Sequence, residues 1–205
     1  NLALVDGTGL ASNYSLNSTV INITERVLNS SGSKIYDANT DALAADITLS
    51  NLVSGEALNH SGTATISSAN AGSYTITNLA GITIADGSGG TASNYTLTGG
   101  THNFTTNQRP LNATLARQYD GTSNAAGSDL SSFDALQGGE TLTLSGSGSA
   151  VNDNVANGIS VSSLGTLALV NGTGLASNYS LNSAAINITQ RVLNSSGSKT
   201  YDANT

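Results

Sequence analysis

The sequence predicts an all-β chain of tandem, small Ig-like β-sandwich units of about 82 residues, with a β-grasp-like repeat as the alternative. Three observations predict it. Residues 1–40 align with 166–205 at 34 of 40 positions, so the chain repeats itself. A shorter beat lies inside that spacing: Tyr-Asp recurs at Tyr36, Tyr119 and Tyr201, and Ser-Asn-Tyr ends at Tyr14, Tyr95 and Tyr179. Stretches such as "SYTITNL" (73–79), "ETLTLSG" (140–146) and "AINITQRVL" (185–193) alternate apolar residues with Thr, Asn or Ser, the period of a half-buried strand.

Taken in order, residues 1–25 form the C-terminal part of one unit, 26–108 and 109–190 are two full units, and 191–205 begin another. Both ends fall within a repeat, which suggests a window from a longer protein. Arg26, Arg109 and Arg191 open the units. Clusters such as "SANAG" (68–72), "DGSGG" (86–90) and "NGTG" (171–174) supply turns, with Gly taking positive φ. "DALAADITL" (41–49) has room for one helical turn. Adjacent units are paraphrases and alternate units are near copies, so the genetic unit is a pair. At each boundary "INIT" runs straight into "RVLN" or its equivalent, with no flexible linker between them. A stiff array is expected.

Composition narrows the function. Thirteen acids against six bases give a net charge of −7, which argues against a nucleic-acid partner, where clustered Lys and Arg must displace counterions. No apolar run reaches the ~18 residues of a membrane helix, so a membrane-embedded chain is not expected. Cys, Met and Trp are absent, a composition resembling extracellular bacterial repeat proteins that avoid oxidisable side chains. Zero Cys also excludes a disulfide scaffold.

His60 and His102 have no Cys or Glu at metal-ligand spacing and read as exposed loop residues. Glu56 and Glu140 each follow a Gly and suit a turn; no second carboxylate recurs with them for acid–base chemistry. No nucleophile elbow or phosphate loop is present. The chain is expected not to be an enzyme and to need no cofactor. Asp37 and Asp41, and Asp6 with its "GTG", offer oxygens that could suit calcium; Asp6 becomes Asn171 in the near copy, which favours solvated turns over a metal site. Twelve Asn-x-Ser/Thr sequons, Asn94 and Asn178 among them, are candidate modification sites. The recurring residues Tyr14, Tyr36, Tyr95, Tyr119, Tyr179, Tyr201, Arg26, Arg109 and Arg191 are assigned structural roles. Tyr14, Tyr95 and Tyr179 stand where a tyrosine corner would bond back to the chain.

"YDGT" (119–122) and its variant "YDANT", followed by a Gly-Glu turn, "ASNYTL" and an Arg-apolar junction, resemble the YDG/MBG-type repeat domains. These occur in very large bacterial surface adhesins and haemagglutinin-like exoproteins, many of them two-partner secreted. The resemblance implies an extracellular, cell-surface or secreted chain whose β domains act as stalk or fibre. Its partners would be neighbouring repeats. A multivalent binding module for glycans or neighbouring fibres is the alternative. The resemblance supplies no ligand and no catalytic residue.

Overall fold

The computed structural model describes residues 3–17 and 20–202. The alternating stretches become strands. Unit 1 contains β1 (Arg26–Val27), β2 (Asn29–Ile35), β3 (Asp41–Leu43), β4 (Ile47–Ser50), β5 (Leu58–Ile66), β6 (Gly72–Asn78), β7 (Ile82–Asp86), β8 (Tyr95–Thr96) and β9 (His102–Asn107). Unit 2 contains β10 (Arg109–Gln118), β11 (Asn124–Ala126), β12 (Leu130–Phe133), β13 (Leu142–Ser145), β14 (Ser147–Ala150), β15 (Ala156–Ser163), β16 (Ala168–Asn171) and β17 (Tyr179–Thr189). Helical structure among the described residues is confined to three-residue 3-10 turns. One of these, Ala44–Asp46, is the single turn expected within 41–49.

The two units share one topology. In unit 1 the sheet runs β3-β5-β6-β9-β2-β4, with β7 beside the first half of β5; in unit 2 it runs β11-β14-β15-β17-β10-β12. The expectation of an all-β chain with two tandem units of about 80 residues holds, and each unit is a curled sheet. The curl has a local cause. Gly62 (φ 99°) bends β5, and its counterpart Gly146 (φ 76°) separates β13 from β14. A Cβ at either position would lie about 2 Å from a backbone carbonyl oxygen, that of Gly81 or of Thr166, so only glycine fits.

The first and last strands of each unit lie side by side and run parallel, β2 with β9 and β10 with β17. An antiparallel meander would not produce this pairing. The pairing also decides how units join. Parallel neighbours start at one pole and finish at the other, so the chain enters a unit at its Arg and leaves at the opposite end. Gln108 alone separates β9 from β10.

Period-two burial builds a separate core in each unit. Ala113 and Leu115 face inward from β10, meeting Ala184, Ile186 and Ile188 from β17. In unit 1, Ile47, Ala64, Ile66, Ile76 and Phe104 form the equivalent cluster. Each fully buried side chain of this size contributes about 1.5–3 kcal/mol, and small cores of this kind offset chain entropy narrowly. A third apolar cluster joins Tyr36 from unit 1 to Leu111, Leu142 and Tyr179 of unit 2.

Candidate functional site

That third cluster is the junction. Tyr36 follows directly on β2, at the exit pole of unit 1, where its N–H donates to the Asn107 carbonyl at 2.9 Å. Its ring then leaves its own unit. It is only 3% exposed and meets Tyr179 edge-on, with ring centroids 5.3 Å apart and planes at 76°. Such pairs contribute about 0.5–1.5 kcal/mol beyond area burial. The Tyr36 hydroxyl donates to Glu140 Oε1 at 2.6 Å. The other carboxylate oxygen, Oε2, accepts from the Tyr179 hydroxyl, which itself accepts from the Gln137 N–H at 3.1 Å. One carboxylate therefore clamps a tyrosine from each unit.

Further contacts close the joint. Arg109 Nη1 donates to the Tyr36 carbonyl at 3.3 Å, and its Nε donates to the Ala135 carbonyl at 2.9 Å. Asn178, 1% exposed, accepts from the Ala71 N–H at 2.9 Å and donates to Asn70 Oδ1 at 3.0 Å. Thus the "SANAG" turn of unit 1 packs on the Ser-Asn-Tyr segment of unit 2. Gln108 Nε2 donates to the Ser177 carbonyl at 3.1 Å. Burial, followed by the hydrogen bond to Glu140, pushes the Tyr36 phenol up to about 12, and the same causes raise Tyr179.

The entry pole of unit 1 carries the same parts. Tyr95 donates to Glu56 Oε2 and accepts from the Val53 N–H at 3.1 Å, 42 residues back in the chain. The hydrogen bond to Glu56 is the leading cause that raises the Tyr95 phenol. Arg26 grips Asn51, through Nε to its carbonyl at 2.6 Å and Nη2 to its side chain at 2.9 Å.

The remaining recurrent residues lie outside complete joints. Tyr14 is 69% exposed and Tyr201 91%, while Tyr119, at the exit pole of unit 2, is 40% exposed. Arg191 is exposed and borders the same hollow as Tyr119. Asp37 and Asp41 both turn an oxygen to the ammonium of Lys34, Asp37 through its carboxylate and Asp41 through its carbonyl. Lys34, with a side chain 7% exposed, reaches Asp37 at 2.8 Å, Asn39 Oδ1 at 2.7 Å and the Asp41 carbonyl at 2.7 Å. The loop thus turns its oxygens on an internal ammonium. Arg117 takes that role in unit 2, bonding to Asp120 and the Thr122 carbonyl. No group of three or more His, Asp or Glu side chains at metal-binding distance occurs among the described residues. Asp6 accepts from the Ala11 N–H at 2.5 Å, and Asp86 and Asn171 do the same for Ala92 and Ala176 at 2.7 Å. An acceptor oxygen is all that position needs, which explains the Asp-to-Asn exchange.

The reading of His60 and His102 as exposed loop residues is corrected: both lie on strands and are half-buried. His60 Nε2 lies 3.0 and 2.9 Å from the carbonyls of Ala44 and Ile47; His102 bridges Ser30 and the Leu97 carbonyl at 2.9 Å each. Sequence reasoning also missed Glu140 as the clamp and the pairing of Tyr-Asp with Ser-Asn-Tyr across a boundary. A signal was present. Glutamate recurs at the same beat as both tyrosine marks in a chain with only 9% charged residues.

The fold and joint define a tandem β-repeat protein in which Tyr36 of unit 1 plugs into unit 2. The YDG domain family matches residues 22–102 and 107–187, and the chain belongs to that family. No curated protein and no solved structure matches it. No helix among the described residues is long and apolar enough to cross a membrane.

Proposed function

We propose that the chain is a stalk segment of a large extracellular bacterial surface protein, an adhesin or filament, in which YDG units supply reach and stiffness. The observation that carries this reading is the joint. A single residue separates the last strand of one unit from the first strand of the next, and Tyr36 seals the gap with a buried ring and a charge-assisted hydrogen bond. Parallel first and last strands send the chain in at one pole and out at the other, so identical joints add length along one axis. The role is mechanical rather than catalytic, and the immediate partners are neighbouring repeats. Two of the recurring tyrosines face into the joint, which leaves them unavailable as a platform for stacking sugars and favours the stalk over a glycan-binding array. The Lys34 and Arg117 loops carry their own cation, in keeping with a fold that does without calcium.

Small-angle scattering on arrays of two, four and six units tests the reading. A stalk gives a maximum dimension that rises in equal steps, whereas flexible beads give roughly square-root growth. Square-root growth would overturn the proposal, because a floppy tether holds nothing at a fixed distance.

A further inference from the structure

Unit 2 holds two exposed Asn-Gly pairs, Asn157-Gly158 and Asn171-Gly172. In such a pair the backbone nitrogen after the asparagine is least hindered from attacking its side-chain amide, because glycine has no Cβ. The fold treats the two pairs differently. Asn171 ends β16 and reaches forward over the loop that follows. The Ala176 N–H, at the start of a 3-10 turn, donates to its Oδ1 at 2.7 Å. That oxygen takes on negative charge when a nucleophile adds to Cγ, so the donor lies where charge develops. Gly172 supplies the nucleophile, and its N–H makes only a long bond, 3.3 Å, to the Gly174 carbonyl. The glycine itself is fixed by packing. A Cβ on Gly172 would run into the Thr141 carbonyl oxygen, as one on Gly87 would run into that of Ala57. The loop thus imposes a glycine after the acceptor residue, and unit 2 precedes it with an amide where unit 1 has Asp86. At Asn157 the arrangement is inverted. The Gly158 N–H, which would have to attack, donates to Asn187 Oδ1 at 2.8 Å, and the Asn157 amide oxygen receives no donor among the described residues.

We infer that Asn171 is a self-modifying position, whose side chain cyclises onto Gly172 and matures to the aspartate that unit 1 already carries as Asp86. In the first step the Gly172 nitrogen bonds to Cγ of Asn171 and the Cγ–Nδ2 bond breaks. Nδ2 leaves as ammonia, taking the Gly172 amide proton with it. Water then opens the five-membered imide. Opening at Cγ gives aspartate; opening at the main-chain carbonyl gives isoaspartate, with the backbone routed through the former side chain. The aspartate product keeps an acceptor for the Ala176 N–H, just as Asp86 accepts from Ala92 at 2.7 Å. The isoaspartate product inserts an extra carbon into the backbone between β16 and the turn and disturbs that bond. Each conversion adds one negative charge to a chain that already carries −7. The inference goes beyond the stalk reading and does not depend on it.

Peptide mapping by mass spectrometry reads the outcome on the folded chain aged in mildly alkaline buffer, with aspartate and isoaspartate told apart by fragmentation. Asn171 should lose its amide about tenfold faster than Asn157, the scale of one hydrogen bond to a developing charge. In urea the two rates should converge, because the Ala176 donor and the Asn187 acceptor are both gone. A folded chain in which Asn157 keeps pace with Asn171 overturns the inference. So does an Asn171 that keeps its amide in the folded chain while the unfolded chain loses it. Ala176→Pro removes the donor at a position whose predecessor, Leu175, is already extended (φ −89°, ψ 122°), as proline requires. In that variant Asn171 should slow towards the pace of Asn157, and an unchanged rate in a folded Ala176→Pro chain would exclude the donor's part. Should the variant fail to fold, the two asparagines of the parent chain still decide. Asn171→Asp, the mature form, should melt with the parent; a lower melting temperature would mean that the fold does not accept the product.

Discussion

Unit 1 and unit 2 have the same topology and the same joint residues, yet they fill the centre of the sheet in opposite ways. In unit 1, Gly32 of β2 lies opposite Phe104 of β9; in unit 2, the corresponding pair is Leu115 and Ile186. A glycine facing a large ring in one unit is replaced by two branched side chains of middle size in the other. The backbone moves with the side chains. A Cβ on Gly32 would lie 2.3 Å from the Asp46 carbonyl oxygen and 2.7 Å from the Phe104 ring. In unit 2 the pairing of β10 with β12 shifts register between Thr114 and Leu115, beside the larger residue. Three features are therefore locked together: the residue on the first strand, its partner on the last, and the register of the edge strand. A unit can mutate within its own solution but cannot drift into the other one residue at a time. That coupling gives a physical reason for alternate units to be near copies: "NSSGSK" returns at 194–199 with Gly197 in the place of Gly32.

The sharpest way to break this comparison is to force one solution onto the other unit. Gly32→Leu should cost unit 1 about 3 kcal/mol or more, the upper range for overpacking, because the obstacle is a backbone carbonyl and not a flexible side chain. Adding Phe104→Ile should recover less than half of that, since the Asp46 carbonyl stays in place. Leu115→Ala in unit 2 should cost a comparable 2–5 kcal/mol by leaving a cavity. Calorimetry should separate the two, with the low-temperature transition belonging to whichever unit was altered. A Gly32→Leu chain that melts like the parent would remove the claim that the cores are locked.

The entry poles offer the second comparison. Glu140 accepts two phenols, one from each unit, while Glu56 accepts one. Glu140→Ala leaves two buried hydroxyls without their acceptor and should lower the stability of unit 2 and the joint by about 2–3 kcal/mol. Tyr36→Phe removes only one of those bonds and should cost about 1–2 kcal/mol. The corresponding change at Glu56 should do less than at Glu140. Equal losses at the two glutamates, measured by denaturant midpoints at constant slope, would mean that Tyr36 adds nothing to its clamp.

Much of this was legible in the residues, and the part that was not has a definite cause. Alternation of apolar with Thr and Ser in stretches such as "SYTITNL" identified the strands, because a one-sided sheet imposes period two on its sequence. The 3-10 turn at Ala44–Asp46 and the slack-free boundary could be read for similar local reasons. The parallel pairing of first and last strands could not, since the residues that pair lie some 70 positions apart and no local pattern records strand direction. The joint was half legible. Both tyrosine marks read as structural from the sequence, but nothing in it pairs one with the other. Tyr36 and Glu140 are 104 residues apart, and only the three-dimensional arrangement shows that the mark at the end of one unit serves the next.

Alkaline titration sharpens the same contrast. Tyr36 has its phenol raised to about 12 in the folded chain, against about 10 for an unfolded one. A raised pKa favours the protonated form on folding. Its contribution is therefore complete below pH 10 and fades as pH climbs from 10 to 12. Above that range a phenolate would face the Glu140 carboxylate, and the joint should loosen before the cores do. Phenolate absorbance should show late-titrating tyrosines, one fewer of them in Tyr36→Phe. Titration of Tyr36 near pH 10, in step with free tyrosine, would contradict a closed joint.

The smallest expected effect lies in the motif that names the family. After Tyr-Asp, unit 2 has Gly121 at φ 77°, while unit 1 has Ala38 at φ 64°. Both are left-handed, where a Cβ crowds the following carbonyl at a cost of roughly 1–2 kcal/mol for an L-residue. Unit 1 tolerates that strain because its loop is held from several sides. Lys34 bonds to the Asn39 carbonyl at 2.9 Å as well as to its side chain, and the Asp41 N–H donates back to Asn39 at 2.9 Å. Ala38→Gly removes the crowding but gives the unfolded chain more freedom, which offsets about 0.5–1 kcal/mol of the gain. The net should be a stabilisation of unit 1 by up to about 1 kcal/mol, with the reverse change, Gly121→Ala, destabilising unit 2 by a similar amount. Thermal melts of the two variants should move in opposite directions. If Ala38→Gly lowers the melting temperature, the left-handed turn is not a source of strain, and the Gly of the Tyr-Asp-Gly motif would need another explanation than its backbone angle.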